Sequence, residues 1–265
     1  MSDVAPYMTR LYHGPGTWVR VFVNDLPMYD KPSDASMSSD FPATPWLVPG
    51  ENDLAIEVLE VPLPPNVGRA PRFDLLFWGE GPSILAGGPA SKVPLFETSF
   101  PKFLAELPPE ARDDIPVRYE AKFTPEGNIP PPIWADASPE TIPERGSPEL
   151  LKPLFDLHQA FKRKDVDGFL GALDLKFEDQ RRYHGNSPRL ARAEVRVEHE
   201  EFFQARWDVP EFTPETLRFR ACNGGRVVYA HNEKGGPAFE ARSPTAAWNV
   251  RPFLIRRGAD WRIYR

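Results

Sequence analysis

The stretch Pro45-Trp46-Leu47-Val48-Pro49-Gly50-Glu51-Asn52-Asp53-Leu54-Ala55-Ile56-Glu57-Val58 decides how the first half of the chain is read. Proline presets its own φ and glycine tolerates a positive one, so Pro49-Gly50 makes a turn and Glu51-Asn52 bridges it into the next segment. From there Leu54, Ile56 and Val58 alternate with Ala55, Glu57 and Leu59. A period of two is that of a strand with one buried face. Upstream, Val19, Val21 and Val23 share one face of a strand and Trp18, Arg20 and Phe22 the other. Downstream, Arg72-Phe73-Asp74-Leu75-Leu76-Phe77-Trp78 is a more fully buried strand candidate. In a fourth strand Val117, Tyr119, Ala121 and Phe123 face in, while Arg118, Glu120 and Lys122 face out. Phe100-Pro101-Lys102-Phe103-Leu104-Ala105-Glu106-Leu107 is the one short helix this region suggests. Proline cannot donate to a sheet ladder, so the prolines between these runs mark edges and connections. The prediction for residues 1–136 is an antiparallel β-sandwich or jelly roll.

The composition changes at Gly146. Residues 1–146 hold 24 of the 32 prolines, with 11 Lys+Arg against 21 Asp+Glu, a balance of −10. Residues 147–265 hold the other 8, with 21 Lys+Arg against 17 Asp+Glu, a balance of +4, which together give the net charge of −6. Such an asymmetry marks separate units, and the polar run 137–146 reads as a linker between them. Ser147-Pro148-Glu149 then starts a helix, with Ser147 as N-cap and Pro148 in the first turn. Leu150, Leu151, Leu154, Phe155, His158 and Phe161 recur at helical spacing. Asp165 can cap a second helix carrying Val166, Phe169, Leu170 and Leu173, and Ser187-Pro188 opens a third reaching about Arg206. Strands follow: Leu217, Phe219 and Ala221 alternate with Arg218 and Arg220. Asn223-Gly224-Gly225 turns into Val227-Val228-Tyr229, and a last pair runs from Trp248 to Arg257 and from Asp260 to Tyr264. The whole chain is thus expected to be a β-rich α+β protein. An N-terminal β-sandwich precedes an α+β domain of three helices and a curled antiparallel sheet over 147–265.

Two resemblances accompany this reading. Trp18-Val19-Arg20-Val21-Phe22-Val23-Asn24-Asp25, with the turn and strand at 45–58, resembles the galactose-binding-like jelly-roll modules found beside glycosidase domains. Those modules have Val-Asn-Gly where this chain has Val23-Asn24-Asp25; the likeness concerns a turn and implies a fold, not a sugar site. Leu157-His158-Gln159-Ala160-Phe161-Lys162-Arg163-Lys164-Asp165-Val166-Asp167-Gly168-Phe169-Leu170 and Asp260-Trp261-Arg262-Ile263 resemble the first helix-turn-helix and terminal strand of nuclear-transport-factor-2-like domains. That class includes SnoaL and ketosteroid-isomerase proteins. This resemblance implies a cone enclosing an apolar pocket between sheet and helices, the default place for a small apolar ligand. A generic α+β domain is the alternative. In the cone's enzymes a buried carboxylate or histidine moves protons and a donor such as tyrosine stabilises oxyanion charge. The pocket candidates here are Asp156, His158, Tyr183, Tyr229 and Trp248.

Local catalytic and cofactor signatures are otherwise missing. Gly79-Glu80-Gly81-Pro82-Ser83-Ile84-Leu85-Ala86-Gly87-Gly88 is glycine-rich but matches neither phosphate-binding fingerprint. His13, His158, His184, His199 and His231 are scattered, and His199-Glu200-Glu201 lacks a second histidine one turn on, so no metal or cofactor is expected. There is no Gly-x-Ser-x-Gly elbow. The lone Cys222 excludes an internal disulfide and reads as a small buried hydrophobe. Arg181, Arg182, Arg189, Arg192 and Arg196 interleave with Glu194, Glu198, Glu200 and Glu201, a salt-bridged helix face and not a nucleic-acid site. No apolar run reaches the length of a membrane span, and Met1 to Pro6 is no secretory leader, so a cytoplasmic protein is expected. The functional expectation is a non-enzymatic ligand-binding or protein-interaction module. Its alternatives are a proton-transfer enzyme of isomerase or hydrolase type working in the cone pocket, and a cytosolic inhibitor or immunity protein.

Overall fold

The computed structural model describes residues 7–13, 17–31, 37–60, 73–79, 93–99, 116–125, 129–184, 203–244 and 247–265, with single positions at 193, 196, 197 and 200. It is a mixed α+β protein with antiparallel sheets and three α-helices of defined bounds. The chain divides into two compact units, Met1–Pro131 and Pro132–Arg265.

The first unit carries eight strands: β1 (Tyr7–His13), β2 (Trp18–Val23), β3 (Leu26–Lys31), β4 (Met37–Pro42), β5 (Asn52–Glu60), β6 (Phe73–Gly79), β7 (Val93–Ser99) and β8 (Val117–Phe123). They pair antiparallel in two four-stranded sheets, ordered β4-β1-β6-β7 and β3-β2-β5-β8. In the second sheet Val19, Val21, Val23, Leu54, Ile56 and Val58 are buried, and the alternation assigned to them decides which face they occupy. Each such side chain contributes about 1.5–3 kcal/mol on burial. On the opposite face charges of alternating sign cross the strands. Arg20 Nε lies 3.1 Å from Asp30 Oδ1, and Arg118 Nη1 lies 2.6 Å from Glu57 Oε1. Phe22, on that same face, is buried with the Arg118 guanidinium 5.5 Å from its ring centre. The β2–β3 hairpin turns at Asn24 (φ 52°) and Asp25 (φ 62°), the double left-handed geometry of a two-residue loop.

The Pro49-Gly50 turn is held by Asn52. Its buried side-chain amide donates to the Val48 (3.0 Å) and Gly50 (2.9 Å) carbonyls. Its oxygen accepts from Val48 N–H (2.8 Å) and from the Asn24 amide (2.8 Å). Asn24 in turn donates to the Trp46 carbonyl and accepts from Asp53 N–H, so two asparagines fasten the hairpin to the turn. The candidate helix at 100–107 and the glycine-rich run at 80–88 lie outside the described residues.

The second unit begins with a 3-10 turn at Ile133–Asp136, followed by α1 (Pro148–Lys162), α2 (Val166–Ala172) and α3 (Asp174–His184). Strands β9 (Leu217–Cys222), β10 (Val227–Asn232), β13 (Phe253–Arg257) and β14 (Asp260–Ile263) form a sheet ordered β14-β13-β10-β9. Strands β11 (Phe239–Arg242) and β12 (Ala247–Val250) form a separate pair. Ser147 is the N-cap of α1 but its side chain makes no capping bond. Its hydroxyl instead donates to Glu149, whose carboxyl is held below the ordinary range by that bond and by its own amide. Asp165 does cap α2, accepting from Gly168 N–H at 2.9 Å.

Two readings of this half change. The helix α3 over 174–184 was not anticipated; its buried residues Leu175, Phe177 and Asp179 fall at every second position, and one of them is a carboxylate. The strand expected from Trp248 to Arg257 is two strands in different sheets, because Pro252 lacks an N–H and breaks the ladder between them. Most of the helix expected at 187–206 lies outside the described residues. The core packs α1 and α2 against one sheet face: Leu150, Leu154, Leu157, Phe161, Phe169 and Leu170 meet Leu217, Phe219, Val228, Ala230, Leu254 and Ile263. Residues 137–146, read as a linker, bond to this sheet. Glu140 N–H donates to the Gly225 carbonyl (3.1 Å), and Phe219 N–H donates to the Glu144 carbonyl (2.8 Å).

Candidate functional site

Of the side chains singled out above, the four described ones, Asp156, His158, Tyr229 and Trp248, do not converge on one point. Asp156 is exposed on α1 and pairs with Lys152 one turn earlier, at 2.5 Å. His158 is fully buried on the same helix. Its Nε2 lies 2.8 Å from the Pro210 carbonyl, and its Nδ1 lies 3.3 Å from the Gln159 amide nitrogen. A neutral ring donating from Nε2 and accepting at Nδ1 satisfies both contacts. Phe212 and Phe239 flank it, with ring centres 5.4 and 5.3 Å away. Burial pushes its pKa down, against the Pro210 carbonyl, which favours the charged form; Lys162 adds to the lowering and Glu211 opposes it.

Trp248 lies on β12, stacked on Phe161 at 4.2 Å between ring centres, and Phe239 stands between it and His158. The rings of Phe161, Phe169, Phe203 and Trp207 continue this cluster. The aromatic groups that would line a cone pocket thus pack on one another. Tyr229 alternates with Val228 and Ala230, which belong to the helix-facing core, so it points to the other side of the sheet. There it stacks on Phe253 and its hydroxyl accepts from Arg251 at 3.2 Å. Tyr183 falls on α3, and its side chain lies outside the described residues.

A buried polar cluster escaped the sequence reading. Asp179 on α3 is fully buried and accepts from Arg265 (2.8 Å), the Tyr264 hydroxyl (3.1 Å) and Ile133 N–H (3.2 Å). Burial raises the Tyr264 pKa far above its ordinary value. Nearby Lys176 is pushed down by burial and by the Arg265 charge. The partners come from opposite ends of the unit, at 133 and at 264–265, so no local motif marks the cluster. It ties three segments of the second unit together.

The second unit also holds open space. A groove of about 300 Å³ is lined by Glu140, Thr141, Ile142, Pro143, Ser147, Glu149, Leu150, Arg256, Ala259 and Trp261. Three elements build it: the strap 140–143, the first turn of α1, and the β13–β14 hairpin. Arg256 and Trp261 stand directly opposite each other across that hairpin. Arg256 Nη1 lies 3.0 Å from Glu140 Oε1, with the two side chains 38% and 29% exposed, so the pair stays within reach of solvent. Leu150 and Trp261 are nearly buried and form an apolar floor. Sequence reasoning missed the groove because Glu140 was assigned to a linker and Arg256 to an ordinary strand.

Among the described residues no three His, Cys, Asp or Glu side chains are grouped to hold a metal ion. Cys222 is buried with its thiol 3.8 Å from the Arg220 carbonyl. Arg196 reaches Asp167 (2.6 Å) and Glu200 (2.8 Å), and Arg182 approaches Glu178 (3.8 Å), so the basic run carries acidic partners. No described helix is long and apolar enough to cross a membrane. No family model matches the chain, and comparison with curated proteins and with solved structures yields no significant match.

Proposed function

We propose that the protein acts by binding and not by catalysis, and that the groove around Arg256, Glu140 and Trp261 is its ligand site. In this reading the first domain, residues 1–131, is an antiparallel sandwich made of the two four-stranded sheets. The second, residues 132–265, is a cone-like α+β domain whose interior is filled by its own aromatic side chains, and 137–146 belongs to it. One observation carries the proposal: the groove combines an apolar floor with a solvent-reachable ion pair, Arg256–Glu140, and its described lining residues include no His, Cys or Lys. That is the composition of a recognition site with a few polar groups to orient a small ligand. Its described lining holds one hydroxyl beside a carboxylate, Ser147 donating to Glu149, and the lowered pKa of that carboxylate makes it a weak base for the activated nucleophile that covalent catalysis needs. His158, the best proton-transfer candidate, has both ring nitrogens engaged and aromatic rings against it.

Ligand-observed NMR with a mixed set of acidic, basic and neutral fragments tests this. Saturation-transfer signals are expected from the wild-type chain and are expected to fall for Arg256→Ala. Arg256 is part-exposed, so its removal changes stability little, by about 0–1 kcal/mol. Signals of equal strength from both proteins would place binding elsewhere and overturn the assignment.

A further inference from the structure

We propose that the ligand of this groove is a free aliphatic α-amino acid, with its carboxylate on Arg256, its ammonium toward Glu140 and Glu149, and its side chain over Leu150, Ile142 and Trp261. The proposal rests on the groove being the ligand site and adds the chemical class of the ligand. A guanidinium has five N–H donors in a planar fork. Arg256 uses Nη1 toward Glu140, and no further partner of its guanidinium stands among the described residues. The remaining donors suit a carboxylate, which arginine binds through two parallel bonds. Glu140 engages Arg256 through one oxygen, Oε1, and its side chain is 29% exposed. Glu149, a second carboxylate of the lining, is exposed and close enough to Arg256 to feel its charge.

The sign of the lining discriminates among ligands. Among the described lining residues are two carboxylates and one guanidinium. A simple anion on Arg256 meets Glu140 and Glu149 beside it; a simple cation between the glutamates meets Arg256. A molecule with both charges a few ångströms apart answers both, and opposite charges at that range attract appreciably only where water is partly excluded. The groove's volume of about 300 Å³ lies at the small end of ligand cavities. Its floor of Leu150 and Trp261, with Ile142 beside them, offers an aliphatic side chain a place to leave water.

The experiment is a titration of the full-length ¹⁵N-labelled chain, read on the Trp261 indole N–H, which Trp261→Phe identifies. L-leucine is compared with 4-methylpentanoate, which lacks the amine, and with 3-methylbutylamine, which lacks the carboxylate. Leucine is expected to shift Trp261 with each half-ligand about tenfold or more weaker, since each loses one charge-assisted contact. Arg256→Ala is expected to remove the leucine response and Arg256→Lys to restore part of it. If either half-ligand binds as tightly as leucine, the amino-acid assignment is overturned while the groove remains a binding site. If leucine binds equally well to Arg256→Ala, or leaves Trp261 unmoved, the proposal falls. The fragment set on the same sample then shows whether the groove binds anything.

Discussion

Asn52 fastens the Pro49-Gly50 turn to the β2–β3 hairpin, because its one amide bonds the Val48 N–H, the Val48 and Gly50 carbonyls and the Asn24 side chain. Asn52→Ala leaves the Val48 N–H and the Val48 and Gly50 carbonyls without their bonds. The expected loss is about 3 kcal/mol, measured as a lower urea midpoint at unchanged m-value. His158 has a different signature. Burial lowers its folded pKa below the ordinary 6.5, so the unfolded chain binds the proton more readily. Its contribution is therefore complete above about pH 6.5 and is lost as pH falls through that value. The unfolding midpoint is expected to drop between pH 7 and pH 5, and to drop less in His158→Gln, which can donate to Pro210 without titrating. An equal slope in both proteins would show that His158 is not the group responsible. These two residues were unequally legible. The turn at Pro49-Gly50 follows from the conformations of two neighbours, and Asn52 sits two positions on. The Pro210 carbonyl that engages His158 lies 52 residues away, and only folding supplies it.

At the scale of elements, short-range chemistry was readable and long-range pairing was not. The alternating strands β2, β5 and β8, the start of α1 and the Asp165 cap each depend on a few adjacent residues. The division of Trp248–Arg257 into β12 and β13 depends on which strands each half meets, and Pro252 alone hinted at it. Helix α3 was missed because its buried face includes Asp179, a carboxylate stabilised by Arg265, Tyr264 and Ile133 arriving from elsewhere. The strap 137–146 was misleading for a similar reason, since polar and proline-rich composition describes a linker and a surface-bound segment equally well. Gly225 shows how closely that strap is held. Its φ is +86°, and a Cβ there would stand 2.5 Å from the Glu140 carbonyl oxygen. Gly225→Ala combines a left-handed penalty with a backbone clash and is expected to cost about 2 kcal/mol or more. Because it displaces Glu140, it is also expected to weaken ligand binding in the groove. Calorimetry and the Trp261 titration on the same variant check both.

On the scale of the whole molecule, the charge difference across Gly146 is real in the sequence, but the compact units part at Pro131/Pro132. Composition changes where the helices start; packing changes earlier, where Ile133 bonds Asp179 and Glu140 bonds Gly225. A fragment of residues 132–265 is therefore expected to unfold in one cooperative transition. A fragment of residues 147–265 lacks those bonds and the Arg256–Glu140 pair, and is expected to melt at a distinctly lower temperature. Equal melting temperatures would return 137–146 to the role of a linker. That strap also forms one wall of the groove, so the boundary and the binding proposal stand on the same residues. The most direct test of the account is a chemical-shift map of the full-length chain with the fragment set. The account predicts perturbations centred on Thr141, Leu150, Arg256, Ala259 and Trp261. Perturbations centred instead on His158, Phe239 and Trp248, or none at any fragment concentration, would contradict it.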